Sequence, residues 1–168
     1  MPKLRAILGS VLFFIVAPGT VAGLAPWLIS GWLVNPPFLG LEPLRAVGIA
    51  LIAAGLVPLI DSFRRFAVEG LGTPAPIAPT EHLIVTGFYR HVRNPMYVGV
   101  VSTALGQSLL FGNTLLLAYA AAVWLGFHAF VTVYEEPTLG RQFGASYVEF
   151  CKHVPRWLPR LTPWRASS

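Results

Sequence analysis

Charge is what this chain has least of. Asp, Glu, Lys and Arg make up 11 % of its 168 residues, where an average soluble domain carries about 25 %. None of the four occurs from Ala6 to Leu41, from Ala46 to Ile60 or from Asn94 to Tyr134, runs of 36, 15 and 41 residues. The first and last of these exceed the roughly 20 apolar residues that cross a bilayer, so water is not the solvent for most of the chain. Cysteine is nearly absent as well. With Cys151 alone, an internal disulfide framework and a Cys/His metal site of zinc-finger spacing are both excluded. Polar low-complexity sequence is missing too, because the 15 Pro and 16 Gly are scattered through a chain that is 55 % hydrophobic, which excludes disorder.

What is present is an apolar chain with a basic excess, twelve Lys and Arg against seven Asp and Glu. The pattern predicts an all-α fold, a polytopic membrane helix bundle with transmembrane helices near 6 to 33, 44 to 66, 95 to 111 and 114 to 134. A split of the first, overlong segment at Pro18-Gly19 or Pro26 would make five. Its length and the lack of a small-residue cleavage site predict a retained anchor rather than a cleaved signal. With four spans the termini share a side. That side holds Lys3, Arg5, Arg64, Arg65, Arg90, Arg93, Arg141, Lys152, Arg156, Arg160 and Arg165, while the other holds only Arg45. Basic residues concentrate on the cytoplasmic side of membrane proteins, so both termini are expected there, and lipid headgroups account for the basic balance without nucleic acid.

The chain reads as one membrane domain, residues 1 to 168, with N-terminal helices over 1 to 66 and a helical hairpin and a C-terminal helix over 67 to 168. Asp61 precedes Arg64 and Arg65 by three and four residues, the spacing of a helical ion pair. Pro74, Pro76 and Pro79 mark a cytoplasmic loop from Ala67 to His82, and Gly112-Asn113 makes a tight outer turn between helices three and four. Leu139, Phe143, Tyr147 and Phe150 recur at helical spacing and predict a cytoplasmic amphipathic helix over 138 to 151.

No phosphate-binding glycine loop or serine nucleophile elbow is present. The chemistry-bearing side chains gather instead at the cytoplasmic ends of helices three and four: His82, Tyr89, Arg90, His91, Arg93, Asn94, Pro95 and Tyr97 before or within one helix, and Glu135, Glu136, Arg141 and Tyr147 after the other. Two adjacent carboxylates at the end of a 41-residue uncharged stretch repel one another and anchor nothing. His128 is the one ionisable side chain inside the fourth span, and such a group is a functional candidate; a neutral imidazole hydrogen-bonded across helices is the competing reading.

The run from His82 through Gly87, Tyr89, Arg93-Asn94-Pro95, Tyr97 and Gly99, then Glu135-Glu136, Leu139, Phe143-Gly144 and Tyr147, then Val154-Pro155-Arg156, resembles the isoprenylcysteine carboxyl methyltransferase and phospholipid methyltransferase superfamily. The resemblance covers about residues 82 to 157. It implies a membrane-embedded enzyme that binds S-adenosylmethionine at the cytoplasmic ends of its C-terminal helices and takes an amphiphilic substrate from the bilayer. Cofactor contacts are then expected from His82, Tyr89, Arg93, Asn94, Pro95, Tyr97, Gly99, Glu135 and Glu136, with no metal.

The residue chemistry accords with that implication. Asn94 and Pro95 suit the N-cap and first turn of a helix, where free amides and the helix dipole favour an anion such as the methionine carboxylate. Arg93 adds a charge-assisted donor. Tyr89 and Tyr97 offer ring faces to a sulfonium, and Gly99 is expected to let the cofactor near the backbone. Glu135, Glu136 and His128 are the candidate catalytic groups, as proton acceptors or electrostatic stabilisers. The fourth helix lacks the arginine expected in the isoprenylcysteine branch near Leu125, Gly126 and Phe127, and Asn94 stands where the eukaryotic branch has His. The missing arginine weighs against a prenylcysteine carboxylate as acceptor, the Asn94 change is milder and keeps the cap, and a phospholipid amine, a lipophilic thiol or amine and a prenylcysteine-like carboxylate all stay open. A small four-helix transporter or channel is the alternative, and a non-catalytic scaffold a third reading.

Overall fold

The computed structural model describes residues 15–68 and 83–165, and the regular elements among them are all helical. Helix α1 is Ile15–Ser30, with a π-helical stretch at Thr20–Leu24. Helix α2 is Pro43–Val68, α3 is Pro95–Phe111 and α4 is Thr114–Phe130. A second π stretch, Val131–Glu135, carries α4 into α5, Glu136–Phe143, and α6 is Ala145–His153.

Two continuous segments, Pro43–Arg65 and Thr114–Phe143, are long and apolar enough to cross a membrane, while Ile15–Ser30 and Pro95–Phe111 are shorter apolar helices. A soluble protein buries its apolar helices, whereas here only 33 % and 17 % of the two long windows is buried. Ile49, Ile60, Leu115 and Leu125 are among the apolar side chains pointing outward, as expected where hydrocarbon is the solvent.

Helices α2 and α3 are held together by glycine. Gly48 faces Gly106 and Gly55 faces Gly99 in an antiparallel pairing, and a Cβ on any of the four would lie 2.5 to 2.6 Å from the opposite carbonyl oxygen. Lipid tails are as apolar as leucine, so helix association in a bilayer rests on close packing, and small residues permit it. Above this seam, Leu59, Phe63 and Val100 form a core against which Val21, Ala22, Met96, Val123 and Phe127 pack. The carbonyls loosened by the first π stretch find partners on α3 and α4: Gln107 Nε2 donates to Ala22 O at 2.7 Å, and the Tyr119 hydroxyl donates to Val21 O at 2.7 Å.

The predicted tight turn between the third and fourth helices is present. Gly112 takes a left-handed φ of 61°, and Asn113 Oδ1 accepts from the backbone N–H groups of Leu115 and Leu116, capping α4. Arg45 donates to Leu110 O at 2.6 Å and to Asn35 O at 2.8 Å, and pairs with Glu42. Arg45, the one basic residue expected on the outer side, thus ties α2 to the end of α3.

Three boundaries depart from expectation. The first helix ends at Ser30, not near 33, because Gly31 turns left-handed; its predicted start at residues 6 to 14, with Lys3 and Arg5, lies outside the described residues. The fourth helix does not stop at Tyr134 but runs through the π stretch to Phe143. The expected single helix over 138 to 151 is broken at Gly144, whose φ of 52° and ψ of −124° no L-residue adopts readily. The apolar stripe survives the break: Tyr147, Phe150 and Val154 form a core with Leu139 and Phe143 packed on it. The second helix extends to Val68, and the rest of the predicted proline-bearing loop, His82 included, lies outside the described residues.

Candidate functional site

The site is built where α2, α3 and α4–α5 end together and the C-terminal segment returns across them. Residues 90–93 and the C-terminal segment meet there through backbone hydrogen bonds. The Arg93 N–H donates to Pro155 O at 2.9 Å, Arg160 N to His91 O at 2.9 Å, and Trp164 N to Arg90 O at 2.9 Å. Side chains double these ties: Arg90 Nε donates to Trp164 O at 2.6 Å, His91 Nδ1 lies 2.8 Å from Arg160 O, and Asn94 Nδ2 donates to Arg156 O at 3.1 Å. Residues 154 to 165 therefore form a strap sewn onto the entry to α3.

The strap delivers Arg156 to Glu136. Arg156 Nε and Nη2 reach Glu136 Oε1 and Oε2, each at 2.8 Å, in a bidentate fork, and Arg93 Nη1 reaches Oε1 at 2.8 Å from the opposite side. Two guanidiniums on one carboxylate leave this triad net positive. Arg93 and Glu136 are 14 % and 17 % exposed, so water screens this triad weakly. The Glu136 carboxylate raises the Arg156 pKa, holding that charge in place. Arg93 Nη1 also contacts Cys151 Sγ at 3.1 Å, while Arg93 Nε is buried without a hydrogen-bond partner. An orphaned charged donor of this kind is rare.

Glu135 is handled differently. It accepts one hydrogen bond at 2.8 Å, from the Tyr97 hydroxyl, and no arginine pairs with it among the described residues. Behind it Tyr89 is buried and hydrogen-bonded with Ser62 on α2; burial pushes its phenol well above the ordinary value, so it remains neutral. The Tyr97 ring lies 4.6 Å from that of Phe127 and lines an apolar cavity of about 280 Å³, with Pro18 and Val21 of α1, Leu59 and Phe63 of α2, and Phe127 and Phe130 of α4 also in its wall. Tyr97 thus belongs to the carboxylate site by its hydroxyl and to the cavity by its ring.

The predicted residues divide accordingly. Arg93, Asn94, Tyr97, Glu135 and Glu136 converge, with Tyr89 beneath them. Asn94 and Pro95 stand at the N-cap and first turn of α3, but the Asn94 side chain does not cap the helix; it is turned to the strap. Gly99 approaches α2 rather than an open site, because Gly55 lies against it. Arg141 bonds Thr138 on the exposed face of α5 and stays out of the cluster. His128 stands apart from both glutamates: its Nδ1 accepts the Trp157 indole N–H at 3.1 Å, and its ring stacks on Trp124. Asp61 pairs with Arg65 at 2.7 Å, as its spacing predicts. In the sequence Arg156 stands out only as a basic residue and as the end of the Val154-Pro155-Arg156 motif, and Trp157 and Ser62 do not stand out at all. Nothing local marks them, since their partners lie 20, 29 and 27 positions away.

The fold and site define a class: an integral membrane helical bundle with a carboxylate–arginine cluster at one end, opening on an apolar cavity. Residues 44–146 match the family model described as phospholipid methyltransferase. The chain is 41 % identical over 83 residues to a protein-S-isoprenylcysteine O-methyltransferase of Schizosaccharomyces pombe, a match covering 48 % of this chain and 35 % of that protein. It is 31 % identical over 158 residues to protein-S-isoprenylcysteine O-methyltransferase B of Arabidopsis thaliana, covering 92 % and 72 % respectively. With the Mus musculus protein-S-isoprenylcysteine O-methyltransferase it shares 29 % identity over 150 residues, 83 % of this chain and 50 % of that one. The chain thus spans between about a third and three quarters of these relatives. No solved structure matches it. The chain belongs to the phospholipid methyltransferase family.

Proposed function

We propose that this protein is an integral membrane methyltransferase that moves a methyl group from S-adenosylmethionine to an amphiphilic acceptor drawn from the bilayer, with both termini cytoplasmic. The observation that carries the reading is the double membership of Tyr97, hydroxyl on Glu135 and ring in the cavity wall. It joins a charged pocket suited to a water-soluble cofactor to an apolar space suited to a hydrocarbon tail.

The residues fit such a cofactor. The buried, unpartnered Arg93 Nε is a donor in want of an anion, and the Met96 and Tyr97 amides of the first turn of α3 have no intrahelical acceptor. Together they suit the methionine carboxylate. When bound, S-adenosylmethionine supplies a methyl group on a cationic sulfur. Glu136 holds Arg93 and Arg156 in register for that binding; with both oxygens occupied it is a poor base. Glu135, with Tyr97 on its Oε2, places negative charge beside the reacting centre and takes the acceptor's proton on Oε1. The cavity walls exclude water and orient the acceptor for in-line displacement. No arginine stands on α4 to hold a carboxylate acceptor, which favours an amine or thiol head.

Calorimetric titration of the detergent-solubilised protein with S-adenosylmethionine tests the reading, followed by transfer of radiolabelled methyl in native membranes and identification of the labelled product. We expect saturable binding that Arg93→Ala weakens at least tenfold. Absence of binding by the wild type overturns it. Cofactor-independent solute flux in proteoliposomes would instead revive the transporter, which membership of this family disfavours.

A further inference from the structure

His128 is an ionisable side chain inside an apolar helix, and the mechanism above does not use it. Its position explains it. The indole of Trp157 on the strap donates to His128 Nδ1 at 3.1 Å, the two rings lie 5.9 Å apart, and Trp124 stacks on the histidine at 5.5 Å and 26°. An indole N–H taken into apolar surroundings needs an acceptor, and the other side chains from Leu115 to Ala129 that could accept one are few: Tyr119 is already committed to Val21 O. A histidine whose Nδ1 accepts is the neutral tautomer with its proton on Nε2.

Trp157 directly follows Arg156. Of the two guanidiniums on Glu136, that of Arg156 is the more open, 33 % exposed against 14 % for Arg93. Burial alone therefore does not hold it. It is held because the strap is tied around it: the Arg93 N–H donates to Pro155 O, Asn94 Nδ2 to Arg156 O and Arg160 N to His91 O, and the indole of Trp157, on the next residue, is anchored on His128. Loss of the indole anchor loosens the strap at Trp157 while its backbone ties remain, and the two 2.8 Å bonds of the fork one residue away are the first contacts to suffer, since both need the planar guanidinium aligned.

We propose that His128 is a positioning residue: as a neutral hydrogen-bond acceptor for Trp157 it locks the strap, and through Arg156 and Glu136 it sets the affinity of the charged pocket for the cofactor. The proposal rests on the methyltransferase reading above, and its tests separate the two. The variants are His128→Phe and Trp157→Phe, which remove acceptor and donor while keeping ring volume, and His128→Asn, whose Oδ1 occupies the place of Nδ1. Titrated with S-adenosylmethionine, His128→Phe and Trp157→Phe each weaken binding up to about tenfold, the worth of one part-buried hydrogen bond. The double variant is no weaker than either single one, since both break the same contact. His128→Asn stays within about threefold of wild type, which a merely space-filling histidine would not allow, whereas a histidine acting only in proton transfer would leave cofactor affinity intact in His128→Phe as well.

Equal loss in His128→Asn and His128→Phe with Trp157→Phe unaffected overturns the proposal, and so does wild-type affinity in every variant. If the wild type itself does not bind S-adenosylmethionine, the functional reading fails, and trypsin still decides the positioning role: cleavage after Arg156 and Arg160 must be faster in His128→Phe than in wild type or His128→Asn. Equal cleavage rates there overturn it.

Discussion

Arg156 grips Glu136 through two parallel hydrogen bonds of 2.8 Å, although 20 residues and a helix break at Gly144 separate them. The fork makes the strap part of the site rather than a tail beside it. Arginine is suited to this by its planar pair of donors; lysine offers a point charge. Arg156→Lys is therefore expected to weaken S-adenosylmethionine binding about tenfold, and Arg156→Ala by more, because one bidentate contact is worth about 1.5–3 kcal/mol. Calorimetry on the two variants checks the order.

Glu136→Ala should cost more than either. It leaves two guanidiniums facing each other with no carboxylate between them, and removing one partner of a buried ion pair destabilises strongly. With partial exposure taken into account, a loss of about 2 kcal/mol in unfolding stability is expected. It should appear as a lowered melting temperature in detergent, together with loss of cofactor binding.

Tyr97→Phe deletes one hydroxyl and keeps the ring against Phe127. The cavity wall and the fold should persist, and the change should fall on turnover. We expect kcat to drop about tenfold to a hundredfold, the range for an acid–base group that loses its orienting bond, with cofactor affinity within about threefold of wild type. A variant that lost affinity and kept turnover would show that the Tyr97–Glu135 bond serves cofactor binding instead.

The glycines of the α2–α3 seam offer a paired comparison. A Cβ at Gly55 would stand 2.6 Å from Gly99 O, whereas nothing lies within 4 Å of one at Gly126 on α4. Gly55→Ala should force the helices apart and lower stability by about 2 kcal/mol, in the range of overpacking. Gly126→Ala should be neutral or stabilising by up to about 1 kcal/mol, since alanine favours the helix. Thermal melts of the two variants in one detergent decide between close packing and mere tolerance of small residues.

Gly144→Ala tests the break between α5 and α6. The backbone there is at φ 52° and ψ −124°, a region costly for any residue with a Cβ by about 1–3 kcal/mol. The expected result is a less stable protein whose strap is cut faster by trypsin, because a straightened helix carries Tyr147, Phe150 and Val154 away from their core.

By itself the sequence determined the solvent and the outline. Uncharged runs of 36 and 41 residues admit no reading but a membrane, Gly112-Asn113 marks a turn by its backbone chemistry, and the run from Tyr89 to Tyr97 with Glu135-Glu136 points to a site at one end of the bundle. Such features are local, so composition and spacing reveal them. The seven-residue spacing of Gly48 and Gly55, repeated in Gly99 and Gly106, is that of a helix seam, but a seam needs a partner that the sequence does not show, and without it Gly99 reads equally well as a cofactor contact. Only the tertiary structure decided which glutamate the arginines neutralise, where Asn94 turns its amide, and that His128 answers to Trp157. Each depends on how deep and at what rotation two distant segments meet. The glycine seam, the π stretch before Glu136 and the break at Gly144 set that depth and rotation in three dimensions.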